Sequence, residues 1–104
     1  MDKKKLFISQ PMRGKTKEEI MKEREEAISL ARMITGDEFE VIDSYFEDAP
    51  EGAEPLWYLG KSLQLLSSAD FAVFAEGWDK ARGCKIEHEC AEEYGIPFVS
   101  ITIE

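Results

Sequence analysis

Glu87 combines residue type and position in a way that points to chemistry. It closes the segment Gly83-Cys84-Lys85-Ile86-Glu87, at the start of a run whose periodicity predicts a helix from Cys84 to Tyr94. With Ile86 at zero, Cys90, Tyr94, Glu87 and Ala91 fall at about 40°, 80°, 100° and 140° around that helix. These residues form the arc expected to face inward, with Glu89, Glu92 and Glu93 on the solvated side. A carboxylate in the first turn of a helix is held ionised by the helix N-terminus, by roughly 0.3–1 kcal/mol. Such a group can attack an electrophilic carbon or stabilise positive charge developing there. The alternative is a carboxylate that only bonds the free amides of that turn.

Two loops offer a different chemistry. Ser9-Gln10-Pro11-Met12-Arg13-Gly14-Lys15 combines two cations, a glycine and the free amides that precede a helix, which together suit a phosphate or carboxylate. It lacks the glycine spacing of a Walker A or dinucleotide fingerprint, and a plain strand-to-helix connection is the alternative. Ala75 to Gly83 contributes Trp78, Asp79, Lys80, Arg82 and Gly83. Trp78 could stack on a flat ring, anchor the loop or meet a second copy of the chain. Asp43, Ser44, Glu47 and Asp48 could hold sugar hydroxyls, or form a solvated acidic loop. Cys84 at a helix start is expected to have a lowered thiol pKa, although no phosphatase or redox motif surrounds it. Cys84 and His88 are four apart, but Cys90 is the only further thiol or imidazole, so no metal and no cofactor are expected.

The elements that must position these residues alternate. Leu6-Phe7-Ile8 reads as a buried strand; Thr16 and Glu19 form a capping-box pattern that opens a helix running to Thr35, with Gly36 as its stop. The inner stripe of that helix is Ile20, Ala27, Ile28 and Ala31. Arg24 interrupts it, either snorkelling to the edge or buried to orient a carboxylate. Phe39 to Ile42 reads as a second strand, and Pro55 opens a second helix with Leu56, Leu59, Leu63 and Leu66 inward. Phe71 to Phe74 is a third strand covered on both faces, and Pro97 to Ile103 a fourth. The alternation predicts one α/β domain, a small flavodoxin- or Rossmann-like parallel sheet of four strands in order 2-1-3-4, with helices on both faces. Ligands of such sheets bind beyond the carboxyl ends of the strands where the winding reverses, here between the loops after strands 1 and 3.

At 104 residues the chain suffices for one core without disulfide staples. Its formal charge of -9, from 22 acidic residues against 13 Lys and Arg, disfavours a nucleic-acid polymer or an anionic membrane as partner. The two loops just described are the basic exception, so a small anion remains compatible. Two cysteines make no disulfide framework, and the apolar run that follows the basic start ends at Ile8, so reduced thiols and a cytoplasmic location are expected.

Ile8-Ser9-Gln10-Pro11-Met12-Arg13-Gly14, Ala69-Asp70 and Gly83-Cys84-Lys85-Ile86-Glu87 together resemble the nucleoside 2-deoxyribosyltransferase superfamily, including its deoxynucleoside 5′-monophosphate N-glycosidase branch. Within it the chain looks most similar to a phage- and bacteria-associated subgroup. The resemblance spans nearly the whole chain. It implies that Glu87 is the nucleophile attacking an anomeric carbon and that Arg13-Gly14, with Ser9 and Gln10, hold phosphate or sugar. Ser62 stands where the superfamily places an acidic Asp, and Phe7 where a Tyr is often found. His88 or Asp79 would then supply the proton to the leaving base. The expected activity is cleavage or transfer at the N-glycosidic bond of a nucleoside or nucleotide. A nucleotide-binding module without catalysis and a phage accessory protein are the alternatives. Trp57, Tyr58 and Trp78 near the sheet rim suit a homodimer.

Overall fold

Alternation along the first strand decides how the molecule is layered. The computed structural model describes residues 3–43 and 51–102. Strand β1 (Lys4–Ser9) lies at the centre of the sheet, and its successive side chains point to opposite faces. Leu6 and Ile8 enter one core layer with Phe71, Val73 and the α1 residues Ala27 and Ala31. Phe7 enters the other layer, with Ala72, Phe74, Leu66 and Ala91. Ser9 follows Phe7 on that second face, at the carboxyl end of the strand.

Helix α1 (Lys17–Thr35) is capped as its sequence demands: Thr16 Oγ accepts from the Glu19 amide, and Glu19 returns the bond to the Thr16 amide. It closes on Gly36, whose φ of 75° is the left-handed cap. Strand β2 (Phe39–Val41), helix α2 (Pro55–Leu66), strand β3 (Phe71–Phe74), helix α3 (Arg82–Glu93) and strand β4 (Phe98–Ser100) follow. A single 3₁₀ turn, Trp78–Lys80, separates β3 from α3. The sheet is parallel throughout, in the order β2-β1-β3-β4. Leu6 is paired with Val41 on one side and Phe71 on the other, and Phe74 with Ser9 and Ser100. Asp70 fixes this register: its carboxylate accepts from the Lys5 amide at 2.7 Å and its own amide bonds the Lys5 carbonyl at 2.8 Å.

Several expectations shift. Leu56 is 77% exposed, because the first turn of α2 projects past the sheet; only Leu66 of its expected inner stripe is fully buried. Tyr94 is 81% exposed, since it lies beyond the last helical residue with φ -101° and ψ 9°. The buried arc of α3 is Cys84, Glu87 and Ala91, so the expected arc from Ile86 to Ala91 is displaced toward Cys84. Strand β1 is longer at both ends than its apolar run, and β4 is Phe98–Ser100, shorter than the expected Pro97 to Ile103. Among the described residues no helix is long and apolar enough to cross a membrane.

Candidate functional site

Ser9 and Glu87 meet because β1 ends where α3 passes over it. The Ser9 hydroxyl donates to Glu87 Oε1 at 2.6 Å, and both residues are buried. Ser62, from the third turn of α2, turns its hydroxyl toward the same carboxylate and favours its charged form. Helix α3 begins at Arg82, two residues before the expected start, so Glu87 sits in its second turn. The helix N-terminal field fades within the first turn, so hydroxyls, not free amides, hold this carboxylate. Burial pushes the Glu87 pKa up, and the hydroxyls of Ser9 and Ser62 pull it back in part.

A cleft of about 920 Å³ opens onto this carboxylate. Gln10 and Met12 line it from the loop after β1, Glu54, Leu56, Tyr58 and Ser62 from α2, and Cys84 and Glu87 from α3. Its size falls within the range of about 300–1,000 Å³ that accommodates a drug-sized ligand. Cys84 does not behave as expected of a thiol at a helix start. Burial, reinforced by the Glu87 charge, raises its pKa to about 11 against the opposing effects of Ser9 and Lys15. It is a protonated thiol in the cleft wall at neutral pH.

Arg24 takes the buried alternative. It donates from Nη1 to Gln10 Oε1 and from Nη2 to the Ile42 carbonyl, each at 3.2 Å. Gln10 in turn donates to the Ile20 carbonyl at 3.2 Å, so its side chain is held by two successive turns of one face of α1. The groups that Arg24 holds thus include the Gln10 amide, which lines the cleft. Burial lowers the Arg24 pKa, and the Asp43 charge counteracts this. Asp43 is exposed and lines neither cleft described here, which corrects its expected place against a sugar. Ser44, Glu47 and Asp48 lie outside the described residues.

The loops after β1 and β3 do form a crevice, but it is a second one. A cleft of about 820 Å³ is lined by Arg13, Lys15, Lys80 and Arg82 together with Glu23 and Glu76. It shares Pro11, Ala81, Arg82 and Gly83 with the first cleft, so one wall separates a carboxylate compartment from a cationic one. Lys15 is paired with Glu23 at 2.8 Å. Gly14 shapes the loop with φ 79° but lines neither cleft, and Asp79 is exposed and outside both.

His88 and Trp78 are the clearest corrections. One step along a helix turns a side chain by about 100°, so His88 cannot share the face of Glu87. Its ring stacks on Trp78 at 4.0 Å and 9°, and meets Phe74 and Phe98 edge-on. Its Nε2 is 3.1 Å from Ser100 Oγ. Neither His88 nor Trp78 lines a cleft, so the imidazole is no acid for a ligand there and the indole no platform for a base. Stacking and edge contacts of this kind are structural.

Glu54 is a cleft residue that the sequence reading passed over, and Leu56 and Tyr58, expected in the core and at a dimer rim, line the cleft as well. A signal was present: the apolar and aromatic residues of α2 spread too far around the helix for a single sheet-facing stripe. Among the described residues no cluster of three potential metal ligands occurs. The family model described as a domain of unknown function (DUF4406) matches residues 4–100. No curated protein matches the chain.

Proposed function

We propose that this chain, which belongs to the DUF4406 family, cleaves or transfers the N-glycosidic bond of a nucleoside or nucleoside 5′-monophosphate, with Glu87 as nucleophile. The observation that carries this reading is a buried carboxylate, bonded by the Ser9 hydroxyl and beside that of Ser62, in the wall of a ligand-sized cleft at the carboxyl end of the sheet. The resemblance to nucleoside 2-deoxyribosyltransferases supports the same role for Glu87.

The sugar and base occupy the cleft of Glu87. As the C1′–N bond breaks, its electron pair leaves with the base and positive charge builds on the sugar. A Glu87 oxygen bonds C1′ and gives a glycosyl ester. The base needs a proton, and neither His88 nor Asp79 is placed to give it. Glu54 is the other carboxyl group that lines this cleft among the described residues, and it takes that role. Water or a second base then attacks C1′, with Glu54 accepting the proton, and Glu87 is released. Ser9 and Ser62 offset in part the burial that raises the Glu87 pKa, and so favour its nucleophilic, ionised form.

Incubation with deoxynucleosides and their monophosphates, followed by chromatography, should show free base. Absence of base from every substrate sinks the proposal. Glu54→Gln should slow cleavage by about 10²-fold. A binding module without catalysis is favoured by one observation, the upward push on the Glu87 pKa. It predicts a nucleotide bound tightly and recovered intact.

A further inference from the structure

From the two adjoining clefts we infer that the ligand class is a nucleoside 5′-di- or triphosphate, with its phosphate chain in the cationic cleft. This rests on the proposed placement of the nucleoside in the Glu87 cleft. Three observations carry it. First, the second cleft is itself about 820 Å³, far more than a single phosphate group needs. Second, among the described residues none of Arg13, Lys80 and Arg82 forms an ion pair, whereas Lys15 in the same cleft is paired with Glu23. Three unpaired cations converging on one cavity, with Glu76 and the paired Glu23 as its acids among the described residues, are unusual on a chain of net charge -9. Charge-assisted bonds to phosphate oxygens are the interactions such groups form most strongly.

Third, the lining argues against a second nucleoside. Among the described residues the cationic cleft contains no aromatic ring, and its remaining walls are Pro11, Gly77, Ala81 and Gly83. A base there would find no stacking partner, but a flexible polyanion needs none. Arg82 belongs to both clefts and stands where the phosphate chain leaves the sugar.

The test uses the full chain carrying Glu87→Gln, so that binding is read without turnover. Calorimetry at one fixed ionic strength compares deoxyadenosine with its mono-, di- and triphosphates. Affinity should rise at least tenfold from mono- to triphosphate. Adding Lys80→Ala should remove at least fivefold of that gain and leave monophosphate binding within twofold. Arg32→Ala, at the far end of α1 and paired with Glu38, should change neither. Equal affinities for mono- and triphosphate, or no binding, overturn the inference. So does tighter binding of a dinucleotide than of the triphosphate, which would put a nucleoside in the second cleft. Base release by the native chain is scored separately. Release without an affinity gradient leaves the glycosidase reading and removes this one. A gradient without release does the reverse.

Discussion

On α3, Glu87 and His88 leave the backbone about 100° apart, and they enter surroundings with little in common. His88 is enclosed by rings, stacked on Trp78 and edge-on to Phe74 and Phe98, with one hydroxyl, that of Ser100, within reach of Nε2. Glu87 is enclosed by polar groups, with Ser9 at 2.6 Å and Ser62 beside it, and its remaining side is a cleft. Both are polar residues in the same helix turn, Glu87 buried and His88 half-buried. The difference lies in what completes the enclosure. The histidine is closed off by the protein's own side chains and holds the loop after β3 against the sheet. The carboxylate has space in front of it, and its burial disfavours the charge it would need to act. A group maintained at such a cost beside an open cavity points to function, whereas one sealed by aromatic packing points to stability.

The largest effect expected is on Glu87 itself. Glu87→Gln should lower base release by at least about 10³-fold, equivalent to about 4 kcal/mol of barrier, with the fold retained by circular dichroism. If activity survives, the contrast between the two residues fails. His88→Ala should do the opposite: destabilise by about 2 kcal/mol and lower the melting temperature by roughly 10 °C, with turnover per folded molecule unchanged. Loss of turnover in a folded His88→Ala protein would return the imidazole to the site. Ser9→Ala should cost about tenfold in activity, since hydrogen bonds to charged groups contribute about 1.5–3 kcal/mol. Because the Ser9 bond lowers the Glu87 pKa, its loss should also move the acid limb of the activity profile to higher pH.

The smallest effect is on stability, and its sign follows from the raised Glu87 pKa. Between the ordinary carboxylate pKa and the native one, the native state binds more protons than the unfolded state. Stability therefore falls as pH rises through that window. Glu87→Gln has no such titration. At neutral pH it should be the more stable of the two, with the gap closing as pH drops below the window. Melting curves at neutral and acid pH check this, and a gap that widens on acidification would contradict it.

Much of the fold was legible because it depends on patterns the sequence carries openly. The continuous apolar runs at Leu6–Ile8 and Phe71–Phe74, with the Thr16–Glu19 cap, lead to a parallel 2-1-3-4 sheet, and the observed order is the same. The pairing of Ser9 with Glu87 follows once the strand end and the helix start are both located. What escaped was rotational detail. A helix start misplaced by two residues put Glu87 in the first turn and let Cys84 look activated, when burial dominates its thiol. The helical wheel placed Tyr94 inward although the helix had already ended. Trp78 and His88 looked like ligand groups because their residue types are common in sites. Their mutual stacking depends on a 3₁₀ turn that no periodicity announces.

Gly77 has a bearing on how this sequence can vary. It precedes the 3₁₀ turn with φ 88°, and a β-carbon built there would come 3.4 Å from Pro11 Cγ. The conformation is the stronger restriction, since any L side chain at 77 would be strained at this φ, while its β-carbon would only touch the loop that borders both clefts. In a saturation library, position 77 should therefore stand out as intolerant although it carries no reactive group. Exchanges at Gly77 would be rescued by smaller residues at position 11 only in part, because removing the ring relieves the contact but not the backbone. The boundary between the two compartments would thus be inherited through a residue with no side chain.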